Sequence, residues 1–527
     1  MRKYFINNLM KNILIIIGII IISLIQVGTS LIHTFAFNSL LDKNIKGFLS
    51  WYGIGLLLWI IFIVGNYFLE IAKTNVIQNM IGEMRRDIAI SITKKSFSKF
   101  KEKDTGEFVS LLNNDMNMIE TLGFDNIYNI ISTVSLTLLS LITLLTFDFR
   151  IMLITIAMTF VISFVPNLMM KRITNATKLY SDKNSEFMSK VHDLVTGYET
   201  LYYLGNKRHL LKQVDNASED FKESKIMYGK DTGLVNSVIS TISVFAQIII
   251  MISTGYFAYI GLVTFGAITS TASVAGNVFG SLSSFNQYLM SIKSIKPILE
   301  KIHDNSIDLD PTAKQLNLNE EFEKISINNL NYDYSGLNVL NNFNLDIKKG
   351  NKYALIGPSG SGKSTLISIL LGNLKDYEGS IKFNNNELKE VESNELINHI
   401  SFVSDKTHIY NDTLLNNITL WDEYPTEDIQ NAILKSNLQE METRLNEEIS
   451  EKDLSEGQKQ RIGLARAFLK NRNIIVLDEA TANLDSKNSK EIENIILNSP
   501  ELTYITVTHH LEDDRKSMFD DIISLKS

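Results

Sequence analysis

The chain has no cysteine among its 527 residues. Disulfides, thiolate metal sites and a cysteine nucleophile are therefore excluded. It has no basic excess either. The net charge of −8 argues against a nucleic-acid footprint, so no nucleic-acid partner is expected. Proline is scarce, with 6 in all; beside abundant Asn, Ile and Lys this fits an AT-rich coding bias and says nothing about mechanism. The most informative absence is local. Six apolar runs hold no Asp, Glu, Lys or Arg in their interiors: Ile13–Ile32, Tyr52–Leu69, Ile127–Phe147, Ile151–Met170, Val235–Ile260 and Val263–Met290. An intramembrane charge costs about 2.5–3.5 kcal/mol on insertion scales and usually marks an ion or proton path. Its absence argues against proton coupling and weakens the case for a dedicated cation pump.

Each run is long enough to span a bilayer, which takes roughly 20 residues as a helix. A soluble domain rarely carries six such runs, so six transmembrane helices are expected. Arg2-Lys3 precede the first run, but no small-residue cleavage site follows it, so that helix is expected to be retained. Short loops surround Asp42–Lys46, Asp148–Arg150 and Gly261–Leu262. Long polar stretches run from about Glu70 to Asp125 and from Lys171 to Gly233. The long stretches hold most of the basic residues, among them Arg85, Arg86, Lys94, Lys95, Lys171, Arg172, Lys207 and Arg208. The positive-inside rule puts them, and both termini, in the cytoplasm. They look helical and are expected to extend the membrane helices. The last run is polar but uncharged. Gly276 and Gly280 suggest helix packing, whereas Asn277, Asn286 and Gln287 suggest a cavity lining. His33, near the end of the first run, is expected at the membrane interface.

Beyond residue 300 polar and charged residues mix throughout. The domains are expected at 1–305 (membrane), 306–322 (linker) and 323–527 (a second folded domain), with the polar stretch from Lys293 to about Glu321 irregular. Gly357-Pro358-Ser359-Gly360-Ser361-Gly362-Lys363-Ser364-Thr365 fits G-x-x-x-x-G-K-[ST] between a short strand, Tyr353–Ile356, and a helix start, Leu366–Leu371. Glycines let successive N–H groups turn inward on phosphate oxygens, and the helix start adds its positive dipole end. Lys363 can reach the β- and γ-phosphates, and the Ser364 hydroxyl can bind Mg²⁺. Further on, Ile474–Leu477 is an apolar strand ending in Asp478 and Glu479. Acids exposed only at a strand's carboxyl end sit where an open α/β sheet holds a nucleotide's metal and water. Asp478 is the expected Mg²⁺ holder and Glu479 the general base. His509 follows the strand Tyr504–Thr508; a histidine there can hydrogen-bond a γ-phosphate, although alone it is more often a surface residue.

These motifs, in this order, resemble an ATP-binding cassette (ABC) transporter of the exporter type, a half-transporter. The resemblance covers nearly the whole chain. Gly357–Thr365 matches the Walker A loop, and Asp478 and Glu479 match the Walker B aspartate and the catalytic glutamate. Leu454-Ser455-Glu456-Gly457-Gln458 matches the signature, with Glu456 in place of a glycine. Ala482-Asn483-Leu484-Asp485 resembles the D-loop, and His509 matches the switch histidine. Tyr334 sits where the family stacks an aromatic on adenine. The implied fold is multi-domain: an all-α six-helix transmembrane domain followed by an α/β P-loop NTPase domain. The resemblance implies ATP and Mg²⁺, a second half-transporter chain as partner, and two ATPs held head to tail. Each ATP would lie between one chain's P-loop and the other's Ser455, Gly457 and Gln458. Asp405 stands where the family has the Q-loop glutamine; an aspartate can still ligate Mg²⁺ through oxygen, on a shorter, charged side chain.

The expected function is ATP-driven transport, with export of an uncharged or amphipathic peptide, lipid or drug-like compound from a bacterial cytoplasmic membrane. Glu479, His509 and Lys363 are the expected catalytic residues. Two alternatives stay open: an exporter-fold importer, siderophore-like, and an ATP-binding regulatory subunit of a heterodimer. A cargo-trimming peptidase is not expected, because it would need a cysteine.

Overall fold

A computed structural model of the chain describes residues 1–307, 321–334, 337–358, 360–391, 393–478, 486–508, 511 and 515–525. The chain folds into two compact units. One is Met1–Thr93 with Thr105–Ile307; the other is Lys94–Asp104 with Asp308–Ser527.

The first unit is helical. Among the described residues four helices are long and apolar enough to cross a membrane: Leu9–Leu41, Ile45–Thr93, Thr105–Phe147 and Lys207–Tyr259. The expected fourth span lies in the helix Phe149–Thr196, which is apolar over Phe149–Phe164 among the described residues. The expected sixth span is helical over Ala267–Ser294, but its serines, threonines and asparagines leave it outside the four. Three helices, of 49, 48 and 53 residues, far exceed a bilayer's thickness. At 1.5 Å per residue about 40 Å of each projects beyond the hydrocarbon. One of them, Ile45–Thr93, packs with the Thr105–Phe147 segment around a core in which Met80, Ile81, Met84, Met116, Ile119 and Phe124 are buried together.

Inside the bundle, neutral hydroxyls tie the helices. Thr34 Oγ1 donates to Ser270 Oγ (2.6 Å), Ser270 Oγ to the Ser30 carbonyl (2.7 Å), and Thr254 bonds Thr271 (2.9 Å). Ser270 and Thr271 are fully buried, so these positions serve packing. Asn277 keeps a buried Nδ2 with no partner among the described residues, while Asn286 and Gln287 are exposed. His33 Nδ1 lies 3.4 Å from the Tyr52 hydroxyl.

One expectation is corrected. The first part of the stretch expected to be irregular is a helix, Lys296–Ile307, while 308–320 lie outside the described residues. Ile298, Leu299 and Ile302 fall at helical spacing and pack against the core of the projecting helices. Pro297 stands in the first turn, where a missing N–H costs nothing.

The second unit is an α/β domain. Its central sheet runs β11(Asp521–Ser524)-β3(Lys352–Ile356)-β10(Thr503–Thr508)-β9(Ile474–Asp478)-β6(Ile400–Val403), with every pairing parallel. Period-two alternation feeds two cores. Tyr353, Leu355, Ile474, Val476, Ile505 and Val507 enter one; Ala354, Ile475, Leu477 and Tyr504 enter the other. An antiparallel sheet, β2(Leu337–Lys348)-β1(Lys324–Tyr334)-β4(Glu378–Phe383)-β5(Asn386–Glu387), and a small pair, β7(Asp412–Thr413)-β8(Glu448–Ile449), complete the domain.

Candidate active site

Register sets the site. In the parallel sheet Thr508 lies beside Ile356, Val507 beside Asp478, and Val403 beside Leu477. The carboxyl ends of four strands therefore share one edge. The glycine loop leaves β3 there, Asp478 closes β9 there, and the segment carrying Asp405 leaves β6 there. Ligands bind at such edges in open α/β sheets.

The loop is built for close approach. Gly362 has φ +90°, and a Cβ on it would lie 3.0 Å from the Val339 carbonyl oxygen. A Cβ on Gly357 would lie 2.5 Å from the Leu525 carbonyl oxygen. Neither position admits a side chain without a shift. Gly360 and Pro358 complete the turn, and the Pro358 carbonyl accepts from Ser361 N–H (3.3 Å). Lys363 opens the helix Lys363–Leu370 and is buried. Its amine donates back to the carbonyls of Gly357 (2.7 Å) and Pro358 (2.9 Å), so the ammonium sits against the loop's own start. Ser361 Oγ is buried with no hydrogen-bond partner among the described residues, a donor noticed in the sequence only for its place in the loop. Ser364 is exposed and Thr365 half-buried. The helix start carries no side-chain cap, so its first N–H groups stay open for an anion.

Asp405 is exposed, and its loop is carried by one face of the helix Glu456–Leu469. Gln460 Nε2 donates to the Asp405 carbonyl (3.3 Å), Arg466 Nη1 to the His408 carbonyl (2.8 Å) and Arg466 Nε to the Asn417 carbonyl (2.6 Å). Burial pushes the Arg466 guanidinium below its ordinary pKa. At Gly463 a Cβ would lie 2.5 Å from Thr407 Oγ1, so the loop and helix touch where the side chain is missing. These supports were not legible beforehand, because the partners lie 49 to 58 residues apart.

Ser455 begins the same helix. Its Oγ accepts from Gln458 N–H (3.2 Å), and Gln458 Oε1 accepts from Ser455 N–H (3.0 Å), a capping box. Gln458 Nε2 reaches Glu440 (3.4 Å). Among the described residues no hydrogen bond joins Ser455, Gly457 or Gln458 to the glycine loop. Ser359, Glu479 and His509 lie outside the described residues, as do 482–485 and the side chain of Tyr334, whose backbone ends β1. Among the described residues no group of three or more His, Asp or Glu side chains could hold a metal by itself.

Two family models match the chain. One is described as ABC transporter, over residues 340–482; the other as ABC transporter transmembrane region, over residues 12–282. A "Probable ABC transporter ATP-binding/permease protein" of Haemophilus influenzae is 26% identical over 453 residues, 82% of this chain and 80% of that protein. A multidrug resistance-like ATP-binding protein of Buchnera aphidicola is 26% identical, over 86% of this chain and 80% of the other. An ATP-dependent lipid A-core flippase of Colwellia psychrerythraea is 28% identical, over 67% and 62%. Among solved structures, a bacterial Atm1-family ABC exporter with ATP bound superposes with a TM-score of 0.79 at 21% identity. It covers 97% of this chain and 93% of its own. That likeness concerns the fold alone.

Proposed function

Because this chain belongs to the ABC transporter family, as an ATPase whose activity is coupled to transmembrane transport, we propose that it exports an uncharged or amphipathic substrate by alternating access of a dimer. The observation that carries the proposal is the shared edge of the parallel sheet, where a phosphate-binding loop and Asp478 meet within one chain that also holds apolar spanning helices.

In this reading the N–H groups of Gly357–Thr365 and the Lys363 ammonium bind the phosphates of ATP, and Tyr334 stacks on adenine. Ser364, Asp478 and Asp405 would hold Mg²⁺; a hydroxyl and two carboxylates form an all-oxygen set that suits this hard cation. The ion would offset charge on the phosphate oxygens. Glu479 takes the proton of the attacking water and His509 bonds the γ-phosphate. Ser455 Oγ accepts from Gln458 N–H and so keeps its own proton free to donate. Ser455, Gly457 and Gln458 would meet the ATP held by a second chain. ATP favours the closed pair, and closure shifts the membrane helices between two openings.

Two features of the bundle support this substrate class. Spans without charge and an Asn277 amide unpartnered among the described residues suit a neutral or amphipathic guest. The flippase and multidrug resistance-like names of two relatives support the same class. The location proposed is a bacterial cytoplasmic membrane, with both termini and the ATPase unit inside. Import by the same fold is the alternative direction. A regulatory role in a heterodimer is favoured by one observation, Asp405 in place of glutamine.

ATPase activity in lipid nanodiscs, measured beside Glu479→Gln with the oligomer mass of the same sample, tests the proposal. Hydrolysis by a homodimer that the variant abolishes supports it. An ATP-binding dimer as slow as the variant moves the activity to a different partner chain.

A further inference from the structure

We propose that Lys459 is a positioning residue for ATP: it draws the Glu456 carboxylate aside so that the first turn of the helix Glu456–Leu469 can receive a phosphate. The inference rests on the reading that Ser455 and Gly457 face a second chain's ATP. The capping box uses the N–H groups of Ser455 and Gln458. The N–H groups of Glu456 and Gly457 therefore remain for a ligand. An acidic residue suits this helix end by itself, but it opposes a phosphate arriving at the same place. Glycine, expected at position 456 by resemblance, would raise no such conflict.

The structure supplies a counter-charge. Lys459 Nζ donates to Glu456 Oε1 at 2.8 Å and lies 3.6 Å from Glu451 Oε1. The Lys459 side chain is 11% exposed, against 63% for Glu456, so the lysine is held and the carboxylate is drawn to it. The hydrogen bond to Glu456 raises the Lys459 pKa above its ordinary value, as expected for an ammonium held on a carboxylate. An ordinary helix pair at this spacing would contribute to folding only. The proposal differs in assigning the pair an effect on nucleotide affinity.

The test uses the full chain in nanodiscs at low salt. Lys459→Gln should raise KM for ATP about tenfold, with kcat changed less than about threefold, the pattern of a lost contribution common to ground and transition states. Lys459→Gln with Glu456→Gln should return KM to within about twofold of wild type, and salt should shrink the single variant's effect. A double variant no better than the single one overturns the proposal. So does an unchanged KM in a Lys459→Gln chain whose unfolding temperature has dropped, since that is a folding pair alone. Ser455→Asp, run beside them, keeps the cap and adds a carboxylate at the same turn. If hydrolysis survives it, the underlying reading falls. If hydrolysis is lost there while the double variant shows no rescue, only the Lys459 inference falls.

Discussion

Two helices of the ATPase unit begin in opposite ways. Lys363–Leu370 starts from Gly362 in a left-handed conformation, with no side-chain cap. Glu456–Leu469 starts from Ser455 inside a complete capping box. The first leaves its N–H groups open, with a buried ammonium held on the loop carbonyls of Gly357 and Pro358. In the proposed reading that end holds an anion within one chain. The second is satisfied without a ligand, keeps only part of its first turn free, and carries a carboxylate at its opening. Such an end suits a ligand that arrives already bound elsewhere, which is what the proposed head-to-tail pair of chains would provide.

Substitutions can break this contrast, beginning at the open end. Lys363→Met should lower kcat/KM for ATP by about a hundredfold or more, because a preorganised charge on the phosphates is lost. Steady-state ATPase assays read this, and an unchanged unfolding temperature would show that the fold is intact. Gly362→Ala forces a Cβ onto a backbone at φ +90° and 3.0 Å from a carbonyl. It should weaken ATP affinity about tenfold and cost about 1–2 kcal/mol of stability, seen by nucleotide titration and thermal unfolding. At the capped end Ser455→Ala should cost about 1 kcal/mol for the lost cap. It should also slow hydrolysis while leaving ATP binding in place. Equal damage to binding and hydrolysis would erase the contrast. The smallest effect belongs to the membrane unit. Thr34→Val removes a bond to Ser270 and should cost about 0.6 kcal/mol, the typical value between membrane helices, with basal ATPase unchanged.

The sequence showed the open end far better than the capped one. Gly357–Thr365 is contiguous, so its loop, helix and lysine could be placed together, and Asp478 stood out as the acid closing an apolar strand. The pairs that support the site could not be read this way. Arg466 meets Asn417 and His408 across folded segments, and Gln460 holds Asp405 by its backbone. No local pattern encodes such contacts. The Glu456–Lys459 pair was visible as an i, i+3 spacing, but such spacings are common, and only its geometry gives it weight. Helix Lys296–Ile307 was missed because its apolar residues are few. They bury one narrow face in a polar segment, where composition argues for a linker.

The absence of native cysteine allows the paired-chain account to be tested directly. A single Lys452→Cys change, at an exposed position beside the signature, gives one spin label per chain. In a Glu479→Gln chain held in nanodiscs, Mg-ATP should shift the label-to-label distance to one shorter, narrower distribution as ATP saturates. A distribution unmoved by fully bound ATP would contradict the account that two chains close on their nucleotides.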